Sequence, residues 1–173
     1  KEVLMMDKID NWIFSKANIL ISRLDFSHGN YVRVRKVCNQ LIEVDNNSDG
    51  AEAMYMLIYL TYLDDSLDLA EKMIFEMTDD FSNDYFIAKA FILLADIYLS
   101  KGNSFQSKAT LESIIDNYNG QDLKLIAKEK REKILESEII VEDNIFIEDS
   151  YIDIFEDEID YDLFLETEND TIN

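Results

Sequence analysis

AKAFILLADIYLSKGNSFQSKATLESIIDNY, residues 88 to 118, holds two apolar stripes at helical spacing around one short polar break. Phe91, Leu94, Ala95 and Tyr98 fall at i, i+3, i+4 and i+7, as do Leu111, Ile114, Ile115 and Tyr118, the period of a helix with one buried face. The break SKGNS, 100 to 104, carries Gly102 at the turn. Small residues, Ala95 and Ser107, stand among the large ones. That mixture lets two helices approach closely while bulky side chains fill the groove between them. The stretch predicts a pair of helices folded back on each other.

Working outward, DFSHGN (25 to 30), VDNNSDG (44 to 50), DDFSND (79 to 84) and NYNGQD (117 to 122) divide the chain into further segments of helical length. Proline is absent and glycine occurs 4 times, which favours helices joined by polar turns. Setting Ala70 and Val34 as the equivalents of Ser107 gives spacings of 37 and 36 residues and three units, at about 10–44, 50–78 and 84–118. The middle unit then carries Leu57, Thr61, Ala70 and Ile74, and the first carries Gly29, Val34, Cys38 and Leu41. A last helix, 121 to 137, has Leu123, Ile126, Ala127 and Ile134 on one face and polar residues opposite.

Residues 88 to 118 resemble a tetratricopeptide repeat. Phe91 stands at the bulky aromatic position, Leu94 and Ala95 at the Leu and small pair, and Tyr98 at the tyrosine of the first helix; Gly102 marks the turn, Ser107 the small position of the second helix, and Leu111 and Ile114 follow. The final proline of the family pattern is missing and the period is a few residues longer than usual. The resemblance implies an all-α fold: a short TPR-like α-solenoid of antiparallel helix pairs closed by a capping helix, working as a protein–protein scaffold. The wording from Ile87 to Tyr118 is also similar to the last repeats of long tetratricopeptide proteins of Bacteroidetes envelopes. That likeness implies the C-terminal part of such a protein, or a short relative. It also implies a periplasmic or outer-membrane-associated setting in an outer-membrane or secretion complex, with the cytoplasm as the alternative.

The totals fit one domain with a core of ordinary size, since 47% of 173 residues are apolar. Charge is distributed unevenly. Residues 138–173 hold 14 Asp and Glu and no Lys or Arg, against 23 acids and 16 bases in residues 1–137. Nucleic acid is not an expected partner, because phosphate binding needs clustered bases and the one cluster, Lys124, Lys128, Lys130, Arg131 and Lys133, is interleaved with acids. No run of eighteen apolar residues marks a membrane span. The chain begins with Lys, so a processed or partial chain is expected, and an anchor upstream of residue 1 would not be visible.

Candidate chemistry is sparse, and no enzymatic activity, cofactor or metal is expected. DNNSDG, 45 to 50, has the first half of a calcium loop, but position 12 is Met56 where a bidentate Glu is needed. The simpler reading is a helix start with Asp49 as N-cap and Glu52 closing a capping box. His28 reads as a turn residue beside Gly29, and Cys38, alone, as a buried thiol. Trp12 is expected to pack against the neighbouring helix.

The acidic stretch 144 to 170 is the candidate partner-binding element. Among its carboxylates stand Ile145, Phe146, Ile147, Tyr151, Ile152, Ile154, Phe155, Ile159, Tyr161, Leu163, Phe164 and Leu165. An acidic, solvated segment has no use for so many large apolar groups. The pattern fits both an alternating strand (Ile159, Tyr161, Leu163, Leu165) and a helical stripe (Ile152, Phe155, Ile159, Leu163), and the wealth of Ile favours extended pieces. The expected partners are proteins, held by the groove of the repeats and by this tail. The alternative is a tail that occupies the chain's own groove or mimics nucleic acid toward a basic partner.

Overall fold

The computed structural model describes residues 11–44 and 47–142. In chain order the helices are α1 (Asn11–Ser27), α2 (Tyr31–Val44), α3 (Ser48–Leu63), α4 (Leu67–Asp80), α5 (Asp84–Ser100), α6 (Ser104–Asn117) and α7 (Gln121–Glu142). No strand occurs among the described residues.

The even-numbered helices α2, α4 and α6 share one design. Each is 14 residues long and buries its fourth, eighth and eleventh residues: Val34, Cys38 and Leu41; Ala70, Ile74 and Met77; Ser107, Leu111 and Ile114. The remaining positions are half-buried or exposed, so these helices need only one apolar stripe. The turn that precedes each is also the same. Gly29, Asp65 and Gly102 have φ of 73°, 58° and 74°. The N–H of each donates three residues back (to Phe26, Tyr62 and Leu99), and the N–H of the next residue donates five back (to Asp25, Thr61 and Tyr98). This pair of bonds satisfies carbonyls left open at the helix end and requires a left-handed residue at the corner. The corner DDS, 64 to 66, is absent from the breaks read in the sequence, and it lacks the glycine that marks the other two corners.

The odd-numbered helices carry the core. α3 packs on α1, α2, α4 and α5, and α5 on α3, α4, α6 and α7. Surrounded in this way, α3 buries every residue from Gly50 to Ile58, and α5 buries Ala88 to Ala90 and Ile92 to Ala95. Helices apolar on nearly every side belong inside. α7 lies against α5 and α6, with Leu123, Ala127 and Ile134 in one cluster with Ile92, Ala95, Leu111 and Ile114.

Several sequence expectations change. α7 runs to Glu142, not to Ser137. No glycine or proline follows Gly120 to stop it, and the Glu138 carboxylate is held by Lys108 Nζ (2.6 Å) and Ser104 Oγ (2.8 Å) from α6. The N-cap of α3 is Asn47, whose side chain accepts the Asp49 N–H at 2.9 Å. Asp49 is therefore no cap, and Glu52 is turned inward. Trp12 is 66% exposed, not packed. The inner face of α1 is filled by Ser15, Ile19, Ser22 and Phe26, and Trp12 continues that stripe in register but stands in the first turn of α1, at its exposed end. His28 lies in the turn after α1, with its Nδ1 2.6 Å from the Leu24 carbonyl. Cys38 is buried, and burial pushes its thiol up to about 12. No described helix is long and apolar enough to cross a membrane.

Candidate protein-binding face

The predicted tail residues, from Ile145 to Leu165, lie outside the described residues, as does the first residue of the calcium-like half-loop, Asp45. Within the described body, polar and aromatic groups gather where the odd-numbered helices run side by side. Along α3, Glu52, Tyr55, Tyr59 and Tyr62 fall at i, i+3, i+7 and i+10, on one face. Along α5, Tyr85, Lys89 and Asp96 fall at i, i+4 and i+11.

These two rows are joined to each other and to the flanking helices. From α1, Arg23 reaches Glu52 side-on, Nε to Oε1 at 2.6 Å and Nη2 to Oε2 at 2.7 Å, and both residues are buried. Between α3 and α5, Lys89 Nζ lies 4.9 Å from the Tyr55 ring centroid and 5.6 Å from that of Tyr85, a cation held against ring faces. From α7, Lys130 Nζ donates to the Asp96 carboxylate at 3.0 Å. The Tyr55, Tyr59 and Tyr62 rings follow one another with centroids 6.3 and 6.2 Å apart.

Burial controls protonation here. Burial raises Asp96 above the ordinary carboxylate range, and Lys130 opposes the rise. Tyr62 is raised by burial and then by the Asp96 charge, and Tyr85 is pushed up to about 12 by burial. The phenols therefore keep their protons at neutral pH and can both donate and accept hydrogen bonds. Tyr59, Tyr62 and Tyr85 are half-buried, each an apolar ring with a polar tip, the residue type that anchors protein interfaces. Arg23 and Glu52 neutralise each other beneath them. Among the described residues no group of His, Cys, Asp and Glu is arranged to hold a metal.

The sequence reading named Glu52 only as a capping residue and Lys130 only within the basic cluster, and passed over the other members of this face. The signal was present in YMLIYLTY, whose three tyrosines recur at i, i+4 and i+7 from Tyr55. It was masked because the same positions also satisfy a core stripe. No family model, curated protein or solved structure matches this chain.

Proposed function

We propose that this chain is a non-enzymatic protein–protein interaction module: a short α-solenoid of tetratricopeptide type that holds one protein segment against the α3 and α5 tyrosines. The acidic, apolar tail grips a second protein. The threefold recurrence of the buried positions and of the left-handed corner supports the solenoid reading, with α7 as its closing helix. The observation that carries the binding role is the tyrosine row lying over internally paired charges. Such a surface offers ring area and hydrogen bonds without a net charge to desolvate. The envelope resemblance supplies the setting, an outer-membrane or secretion complex facing the periplasm.

The test is a photo-crosslinking residue placed at Tyr62, and separately at the exposed Thr78 of α4, in cells that make the chain. One discrete protein adduct from position 62 and none from position 78 is expected. In the same cells, Phe155→Ala with Phe164→Ala should lower recovery of the tail partner at least tenfold, about 1.4 kcal/mol, and by more than molar salt does. Equal adducts from both positions would remove the face from the proposal, and unchanged recovery would remove the tail.

A further inference from the structure

The two ends of the helix row present different outer faces. α7, packed on α5 and α6, turns Leu123, Ala127 and Ile134 inward and exposes Asp122, Lys128, Glu129, Glu132 and Lys133, with Leu125 the one large apolar residue exposed among its described side chains. α1, at the other end of the described row, packs on α2 and α3 and buries Ser15, Ile19, Ser22 and Phe26. Half a turn away from those four stand Ile13, Ala17, Leu20, Ile21 and Leu24. Leu20 and Leu24 are 36 and 57% exposed, and the other three are half-buried. No charged residue falls within this stripe.

We propose that the stripe is where two copies of this chain pair, α1 against α1, antiparallel about a two-fold axis. The spacing argues for a second copy. Ile13, Ala17, Leu20 and Leu24 are separated by 4, 3 and 4 residues, the alternation that forms a seam between two packed helices, and the order reads the same in both directions. Turned by a two-fold axis, Ile13 of each copy meets Leu24 of the other, and Ala17 of each meets Leu20 of the other. The small Ala17 leaves room for the facing leucine. Charge argues the same way. Residues 11–44, which form α1 and α2, hold 5 bases and 2 acids, whereas residues 138–173 hold 14 acids and no base. Pairing through α1 therefore joins the least acidic ends of two strongly negative chains. Area sets the strength. The exposed apolar face is on the order of 300 Å² per copy, so the pair buries roughly 600 Å² of it, about half of what a stable complex needs. The dimer is weak and reversible.

Sedimentation of the full chain from about 10 to about 1,000 µM should show a reversible passage from monomer to dimer. Leu20→Gln with Leu24→Gln, which leaves the charge unchanged, should weaken the dimer at least tenfold with the helical circular dichroism intact, while Leu125→Gln on the exposed face of α7 should not weaken it. Should the double variant unfold, Leu24→Gln alone should weaken pairing at least threefold. Molar salt should strengthen the dimer, because it screens the repulsion between two acidic chains. A mixture of Ala17→Cys and Leu20→Cys chains, mildly oxidised, should give the mixed disulfide in about fivefold excess over either like pair, against about twofold for random encounter, because only facing positions meet the bond's short reach. Cys38 is buried and does not compete. A monomer across the whole range would overturn the proposal, as would a dimer that survives the glutamines or dissolves in salt. Like-pair disulfides at the random ratio would overturn the antiparallel seam.

Discussion

The first and last joints between odd-numbered helices use one device in two environments. α1 and α3 are tied by Arg23 and Glu52, whose side chains are 8 and 4% exposed. α5 and α7 are tied by Lys130 and Asp96, at 25 and 17%. The difference lies in what remains when a partner is lost. A guanidinium cannot shed its proton, so Arg23 without Glu52 stays a buried cation. A carboxylate can take up a proton, so Asp96 without Lys130 has an escape.

Glu52→Leu should therefore have the largest effect, about 3–5 kcal/mol of lost stability in urea unfolding. Arg23→Met added to it should recover most of the loss, because an apolar pair of similar volume is often as stable as a buried ion pair. Equal stability of the single and double variants would show that the stranded charge is not what costs. The pair then contributes to alignment of α1 on α3 more than to net stability.

Lys130→Met comes next, at about 1–3 kcal/mol at neutral pH, the cost of leaving a buried acceptor unpaired. Its pH dependence separates the two joints. Asp96 already sits above its ordinary value of 3.8 in the folded chain, and loss of Lys130 raises it further. The folded state of the variant then binds this proton more readily than the unfolded state does. The deficit relative to the parent is full above the raised folded value and shrinks as pH falls through it. A Lys130→Met deficit of equal size at neutral and acid pH would break the comparison.

The repeat was legible in the sequence because its buried stripe is made of apolar or small residues at fixed spacing. Val34, Ala70 and Ser107, chosen as equivalents from sequence alone, occupy the same fourth position of α2, α4 and α6, and all three are buried. The tyrosine face of α3 and α5 was not legible. Glu52, read as a capping residue, and Lys89 would pass for surface charges in a one-dimensional pattern, yet both are buried because four helices pack around each of α3 and α5. Their partners, Arg23 on α1 and Tyr55 on α3, are 29 and 34 residues away in the chain. Only helix packing brings them together. Trp12 was misread because a large aromatic in register with the buried face was expected inward, whereas it stands in the first turn of α1 and is 66% exposed.

The corners give a smaller contrast between ends and middle. Gly29 and Gly102 adopt positive φ without a Cβ, while Asp65 does so with one, at 58°. A side chain in the left-handed region costs roughly 1 kcal/mol, and Asp is among the residues that tolerate it best. Asp65→Gly should stabilise the chain by up to about 1 kcal/mol, and Gly29→Ala or Gly102→Ala should destabilise it by about as much, read as shifts in urea midpoint at unchanged slope. A destabilising Asp65→Gly would mean that the carboxylate contributes more than the corner costs.

The smallest effect belongs to the outermost tie, between α6 and α7. Glu138 is partly exposed, with a side chain 34% accessible, and pairs with Lys108. The hydrogen bonds from Lys108 and then Ser104 hold it below its ordinary value of 4.5. A carboxyl depressed in the folded state contributes stability above its unfolded value and loses it as pH falls through the depressed one. Solvent screens such a pair, so Glu138→Gln should cost less than about 1 kcal/mol at neutral pH. The gap to the parent should close as pH drops below 4.5. Molar salt should narrow the gap at neutral pH, while leaving the Glu52→Leu deficit nearly unchanged. A Glu138→Gln deficit that resists both acid and salt would place the last turn of α7 in the core, and the two ends of the row would then differ less than their exposed faces suggest.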